Sequence, residues 1–172
     1  MAKQSLRTWE NRTRSISFWW LTAGGVGMLR PAPGTWGSLL GILLAYAMIF
    51  LGLPFTAIVG LTAVVNTVSV HLINNMERAT GIHDAPEIVI DEVAGQWLAI
   101  LPLVSLSSSP ILFGLAFILF RLFDILKPWP IGWLDRKVDG GIGVMVDDLV
   151  AGTFAAIVIW LLLMFDLLGW AI

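Results

Sequence analysis

Long apolar blocks separated by short polar connections run through most of this chain, and within the blocks hydrophobic positions follow neither a helical stripe nor a strand alternation. Segments that are apolar all round belong in lipid, where about 20 residues cross the hydrocarbon core as a helix. The pattern predicts five spans: about 35–53, on to about 74 after a turn at 52–54, 88 to about 106, 111 to about 126, and 147 or 148 to about 165. Polar connections over 77–90 and 127–147 join them, along with an uncharged loop at 105–110. Ahead of the spans, 1–17 is basic and is expected to be a solvated tail, while 18–29, short and bearing Gly24, Gly25 and Gly27, reads as an interfacial or re-entrant element.

Composition agrees with an all-α polytopic membrane bundle. Of 172 residues, 58% are hydrophobic and 13% charged, with a mean hydropathy of +0.86. No repeat or second domain interrupts 1–172, and no cleaved leader is expected, since the first residues lack an apolar core with a small-residue cleavage site. The net charge is −2 with scattered basic residues, which excludes a nucleic-acid surface. The absence of cysteine excludes disulfides, thiolate nucleophiles and Cys-ligated metals. Five alternating spans put the N-terminus and both charged connections on one face, together with all ten Lys and Arg. The other face carries only Asp166, so the positive-inside rule makes the charged face cytoplasmic. Trp19, Trp20, Trp129 and Trp133 suit the interfacial belt on that side, and Trp170 the other.

Four segments remote in sequence bring ionisable groups to the charged face. Asp147 and Asp148 open the fifth span, Asp91 and Glu92 lie near the start of the third, and Arg121, Asp124 and Lys127 end the fourth. Arg30 stands in Leu29-Arg-Pro-Ala-Pro-Gly-Thr-Trp-Gly-Ser38, too rich in Pro and Gly for regular helix and able to aim backbone N–H groups at an anion. Glu77 ends the second span. A single acid at a helix start reads as a cap. Without the residues before Val93, however, the third span keeps only 14 residues, roughly 21 Å, too short for a core of roughly 30 Å. Its acids therefore sit at or below the interface, where ionised groups mark function.

Acids interleaved with cations suit a divalent metal and a phosphate. Mg2+ takes one or two carboxylates with waters and phosphate oxygens, while Arg and Lys hold the phosphate. The candidate catalytic residues are Asp91, Glu92, Asp147 and Asp148. Asp91, Glu92, Asp124, Asp147, Asp148 and Glu77 are the candidate metal ligands, and Arg30, Arg121 and Lys127 the candidate phosphate-binding residues. The depth implies a substrate whose phosphate lies in the headgroup layer. Water is the default nucleophile, with a carboxylate such as Asp147 as the covalent option. No Asp-x-Asp and no Ser-Gly-His block supports another phosphatase chemistry. An ion- or proton-coupled transporter, the alternative from another class, would place acids near the midplane in inverted repeats, which the chain lacks. A membrane-assembly subunit leaves the Arg121–Asp124 pair unexplained, and a lipid-headgroup transferase is the nearest enzymatic rival.

Four ordered blocks resemble the signature blocks of bacterial phosphatidylglycerophosphatase A: Pro31-Ala-Pro-Gly-Thr-Trp-Gly-Ser38, Ile88-Val-Ile-Asp-Glu-Val-Ala-Gly95, Phe120-Arg-Leu-Phe-Asp-Ile-Leu-Lys-Pro-Trp-Pro-Ile131 and Gly143-Val-Met-Val-Asp-Asp-Leu-Val-Ala-Gly152. The resemblance implies an inner-membrane, Mg2+-dependent lipid phosphatase converting phosphatidylglycerophosphate to phosphatidylglycerol and phosphate. It carries acidic positions onto Asp91, Glu92, Asp124, Asp147 and Asp148 and basic ones onto Arg30, Arg121 and Lys127. At His83-Asp-Ala-Pro86 the chain is looser than the family pattern, so His83 and Asp84 stay outside that set.

Overall fold

The computed structural model describes residues 4–106 and 109–165, which leaves Lys3, Asp166, Trp170 and part of the 105–110 loop outside the described residues. The fold is all-α: α1 (Ile16–Leu21), α2 (Pro33–Phe50), α3 (Phe55–Thr80), α4 (Ile90–Ala99), α5 (Leu101–Leu106), α6 (Pro110–Leu126), α7 (Ile131–Lys137) and α8 (Gly140–Met164), with short 3-10 turns before α2. Three of these helices, α2, α3 and α8, are long and apolar enough to cross a membrane. With 17 residues, α6 reaches roughly 26 Å. The predicted third span is instead two helices, because α4 stops at Ala99 and α5 begins at Leu101 with Pro102 in its first turn. Proline has no N–H to donate and is tolerated only at a helix start.

Two boundaries also move. Helix α3 continues to Thr80 and is closed by Gly81 at φ 69°, the left-handed conformation that favours glycine at a C-terminus. Helix α8 begins at Gly140, so Asp147 and Asp148 lie two turns inside it and not in its first turn. In isolation Gly140-Gly-Ile-Gly143 reads as loop, since each glycine disfavours helix by about 1 kcal/mol. Tertiary packing reverses this: Gly141 lies so close to α3 that a Cβ there would stand 2.4 Å from the Val70 carbonyl oxygen, and its N–H donates to Asn74 Oδ1 at 2.8 Å.

Helix α8 is the axis of the bundle, packed by α4, α6, α3 and α7. Its closest neighbour is α4, where small residues face each other: Gly95 and Ala99 on one side, Ala151, Gly152 and Ala155 on the other, all buried. A Cβ at Gly152 would lie 2.1 Å from Gly95 O, and one at Gly95 would lie 2.6 Å from both Asp148 O and Phe120 Cε2. Small residues let membrane helices approach this closely. That approach brings the start of α4 against the middle of α8.

The N-terminal segment is docked, which corrects the expectation of a solvated tail. Leu6 is fully buried, and Glu87, itself buried, accepts from Ser5 Oγ at 2.5 Å and from the Leu6 N–H at 2.9 Å. Arg7 lies 3.5 Å from the same carboxylate and donates to Met28 O at 2.6 Å. Leaving buried donors unmatched costs roughly 1–3 kcal/mol, so Glu87→Ala is expected to lower the melting temperature and open residues 4–14 to protease. Unaltered protection in limited proteolysis would return the segment to a tail.

Candidate active site and metal centre

At the end of the bundle that holds the starts of α2 and α4 and the first half of α8, one open cavity of about 1000 Å³ is lined by residues from each of the predicted segments, though not by Arg30. Ala32, Pro33 and Gly34 line it from the start of α2, but Arg30 itself is exposed and outside the lining. Glu77 contributes from the end of α3, Asp91 and Glu92 from α4, Arg121 and Asp124 from α6, and Asp147 and Asp148 from α8.

The α4–α8 contact sets the innermost group. Asp91, Glu92 and Asp148 each offer one carboxylate oxygen, all within 4.8 Å of one another. Asp148 is buried and the other two partly so. Three carboxylates at that separation repel one another unless a cation joins them. Glu92 Oε2 is moreover buried with no hydrogen-bond partner among the described residues. An all-oxygen donor set with an orphaned oxygen fits a hard divalent cation such as Mg2+.

Two cations flank the acids. Arg121 is held by Asp124 Oδ2 at 2.5 Å, lies 3.9 Å from Glu92 Oε1 and reaches Ser38 Oγ at 3.4 Å; its Nε is buried without a partner among the described residues. Lys127, in the left-handed C-cap that ends α6, bridges Asp135 Oδ1 at 2.5 Å and Asp147 Oδ2 at 2.8 Å. Burial works against the Lys127 ammonium, but the Asp135 and Asp147 carboxylates more than offset it and hold its pKa above the ordinary lysine value. A lysine raised in this way keeps its ion-pair stabilisation throughout neutral pH and loses it only as alkali passes the unfolded value of about 10.4.

The structure therefore gathers Asp91, Glu92, Asp124, Asp147, Asp148, Glu77, Arg121 and Lys127 around one space. Glu77 lines the same cavity and is engaged by His83 Nδ1 at 3.5 Å. Both His83 and Asp84 line the cavity, with Asp84 at a left-handed φ of 42°. Asp135 was not a sequence candidate, although it completes the Lys127 clamp. Its only signal in the sequence is that it is one of few charges between two membrane blocks. Among the described residues, nine carboxylates and two fixed cations line the cavity. An anionic phosphate would be repelled from such a wall unless a multivalent cation entered with it.

Comparisons with known proteins follow the same line. The profile of the family described as PgpA, phosphatidylglycerophosphatase A, matches residues 19–163. The chain is 41% identical over 137 residues to the "Phosphatidylglycerophosphatase A" of Haemophilus influenzae, covering 79% of this chain and 82% of that protein. It is 38% identical over 149 residues to the Escherichia coli protein of the same name, covering 86% and 84%. A Bacteroides thetaiotaomicron protein named "Putative phosphatidylinositol-3-phosphatase" is 37% identical over 145 residues, covering 80% of this chain and 87% of that protein. No solved structure matches the chain. With its four motif blocks inside the matched span and their acids gathered in one cavity, the chain belongs to the phosphatidylglycerophosphatase A family.

Proposed function

We propose that this chain hydrolyses the terminal phosphomonoester of phosphatidylglycerophosphate, with Mg2+, at the cytoplasmic leaflet of the bacterial inner membrane, releasing phosphatidylglycerol and inorganic phosphate. The observation that carries the reading is the Asp91–Glu92–Asp148 oxygen cluster beside Arg121 and Lys127 in one cavity. In this reading α2, α3, α4 with α5, α6 and α8 make five passes, and the cavity opens on the face that carries the Lys and Arg residues.

Asp91, Glu92 and Asp148 would hold the metal, with Asp124 and Asp147 beside them. Mg2+, when bound, would neutralise phosphate oxygens and make water a better nucleophile at neutral pH. The chain's own groups do the rest. Arg121, fixed by Asp124, presents its remaining N–H groups to a phosphate oxygen. Lys127 supplies a permanent positive charge beside Asp147, available to the phosphate oxygens on which negative charge builds as the water attacks. Asp147, hydrogen-bonded to Lys127, is positioned to accept a proton from the attacking water, the role that a carboxylate near the reacting centre can take. Charge gathered at one end of the bundle also argues against a transporter, whose acids would line both halves of a path.

The experiment is phosphate release from dioleoyl phosphatidylglycerophosphate by purified protein in detergent, with Mg2+ and with EDTA, and with phosphatidylinositol 3-phosphate as the competing substrate. Release with Mg2+, none with EDTA, and preference for the glycerol-headed lipid are expected. Equal turnover with EDTA, or preference for the inositol lipid, would overturn the reading.

A further inference from the structure

The phosphate of a membrane lipid must reach the acidic cavity while its acyl chains stay in hydrocarbon, so the cavity wall has to open sideways somewhere. Most apolar side chains in that wall, such as Ile88, are buried or partly so. Ile125, on the last turn of α6, is the one large apolar residue among the described lining residues that is exposed, at 67%. It continues the outward stripe of α6 through Leu122, and across the gap the start of α2 lines the cavity with Pro33 and Gly34. Below Gly34, α2 turns Leu39 and Leu43 outward. Deeper in, the two helices meet: Arg121 Nη1 reaches Ser38 Oγ at 3.4 Å, and Tyr46 and Phe113 stack edge to face at 5.2 Å. The cavity does not continue down the bundle axis, because Gly95 is packed tightly against Phe120 and the Asp148 backbone.

We infer that the seam between the start of α2 and the end of α6, with Ile125 at its lip, is the lateral portal through which a diacylglycerol-anchored phosphomonoester enters, its acyl chains lying along the outward faces of the two helices. The inference rests on the phosphatase reading and adds the binding track for the lipid's apolar part. An acyl chain is the occupant that suits this seam: Leu39 and Leu43 on α2 and Leu122 and Ile125 on α6 are exposed and apolar, α2 is long and apolar enough to cross a membrane, and Ile125 also lines the phosphate cavity.

The test compares Ile125→Trp, which fills the portal, with Ile111→Trp, an equally lipid-facing position at the opposite end of α6. Each is assayed with dioleoyl phosphatidylglycerophosphate and with inorganic phosphate as product inhibitor, which reaches the cavity from water. In Ile125→Trp the KM for the lipid is expected to rise on the order of tenfold with kcat nearly constant, the size of effect that reshaping an apolar contact produces. The phosphate inhibition constant should stay within about twofold in that variant, and Ile111→Trp should match wild type throughout. Wild-type kinetics in Ile125→Trp, or phosphate inhibition weakened in the same proportion as lipid binding, would overturn the portal while leaving the phosphatase reading intact. A wild-type protein that releases no phosphate would remove that reading, and the portal with it.

Discussion

Asp148→Asn is expected to abolish phosphate release, by on the order of a thousandfold, while leaving the bundle folded. Asn keeps the shape of the side chain two turns inside α8 but withdraws one of three carboxylates whose oxygens lie within 4.8 Å of one another. In the absence of metal those charges repel, so the variant should melt no lower than wild type in EDTA. In Mg2+ the order reverses, because a cation bound only by the folded state stabilises wild type and not the variant. Thermal unfolding by circular dichroism in the two buffers, alongside the phosphate assay, checks both halves. A variant that is both active and Mg2+-stabilised would take Asp148 out of the site.

Gly152→Ala is expected to be strongly damaging, because it strikes the α4–α8 contact that carries the acids. The added carbon would stand 2.1 Å from the backbone oxygen of Gly95, with two more Gly95 backbone atoms within about 3 Å, so neither neighbour can swing away. Relief requires α4 and α8 to separate, and overpacking of this kind costs typically about 1–3 kcal/mol. The separation also draws Asp91 and Glu92 away from Asp148. Activity should therefore fall, and the Mg2+ needed for half-maximal rate should rise, even well below the melting temperature. Gly114→Ala is the control, because a Cβ there meets nothing within 4 Å and the substitution should be neutral or stabilising by up to about 1 kcal/mol. Equal behaviour of the two variants would show that the α4–α8 contact does not set the site.

The acids were legible in the sequence because charge in an apolar block is expensive and cannot be dismissed as decoration. Asp91, Glu92, Asp124, Asp147 and Asp148 stood out for that reason, and all line the cavity. Helix type was legible too, but boundaries followed contacts that sequence does not display. The glycines at the start of α8 form helix only because Val70 and Asn74 of α3 lie against them, and Pro102 divides a block that hydropathy alone leaves continuous. The docking of residues 4–14 was hidden for a different reason. Its anchor, Glu87, is more than 80 positions away, and in a charged loop one more acid carries no sign that it is buried. Arg30 shows the converse: a conspicuous cation beside a Pro/Gly motif that the fold leaves exposed and outside the cavity lining.

The physical centre of the account is an excess of negative charge. On the proposed reading, the nine carboxylates and two fixed cations that line the cavity among the described residues receive the phosphate together with a metal. Mn2+, which takes the same oxygen ligands as Mg2+, makes that statement measurable by electron paramagnetic resonance on the detergent-solubilised protein. The account predicts that wild type binds Mn2+, that Mg2+ displaces it, that inorganic phosphate tightens the binding, and that Asp148→Asn loses it. Mn2+ binding that is unchanged in Asp148→Asn, or absent from wild type, would contradict it.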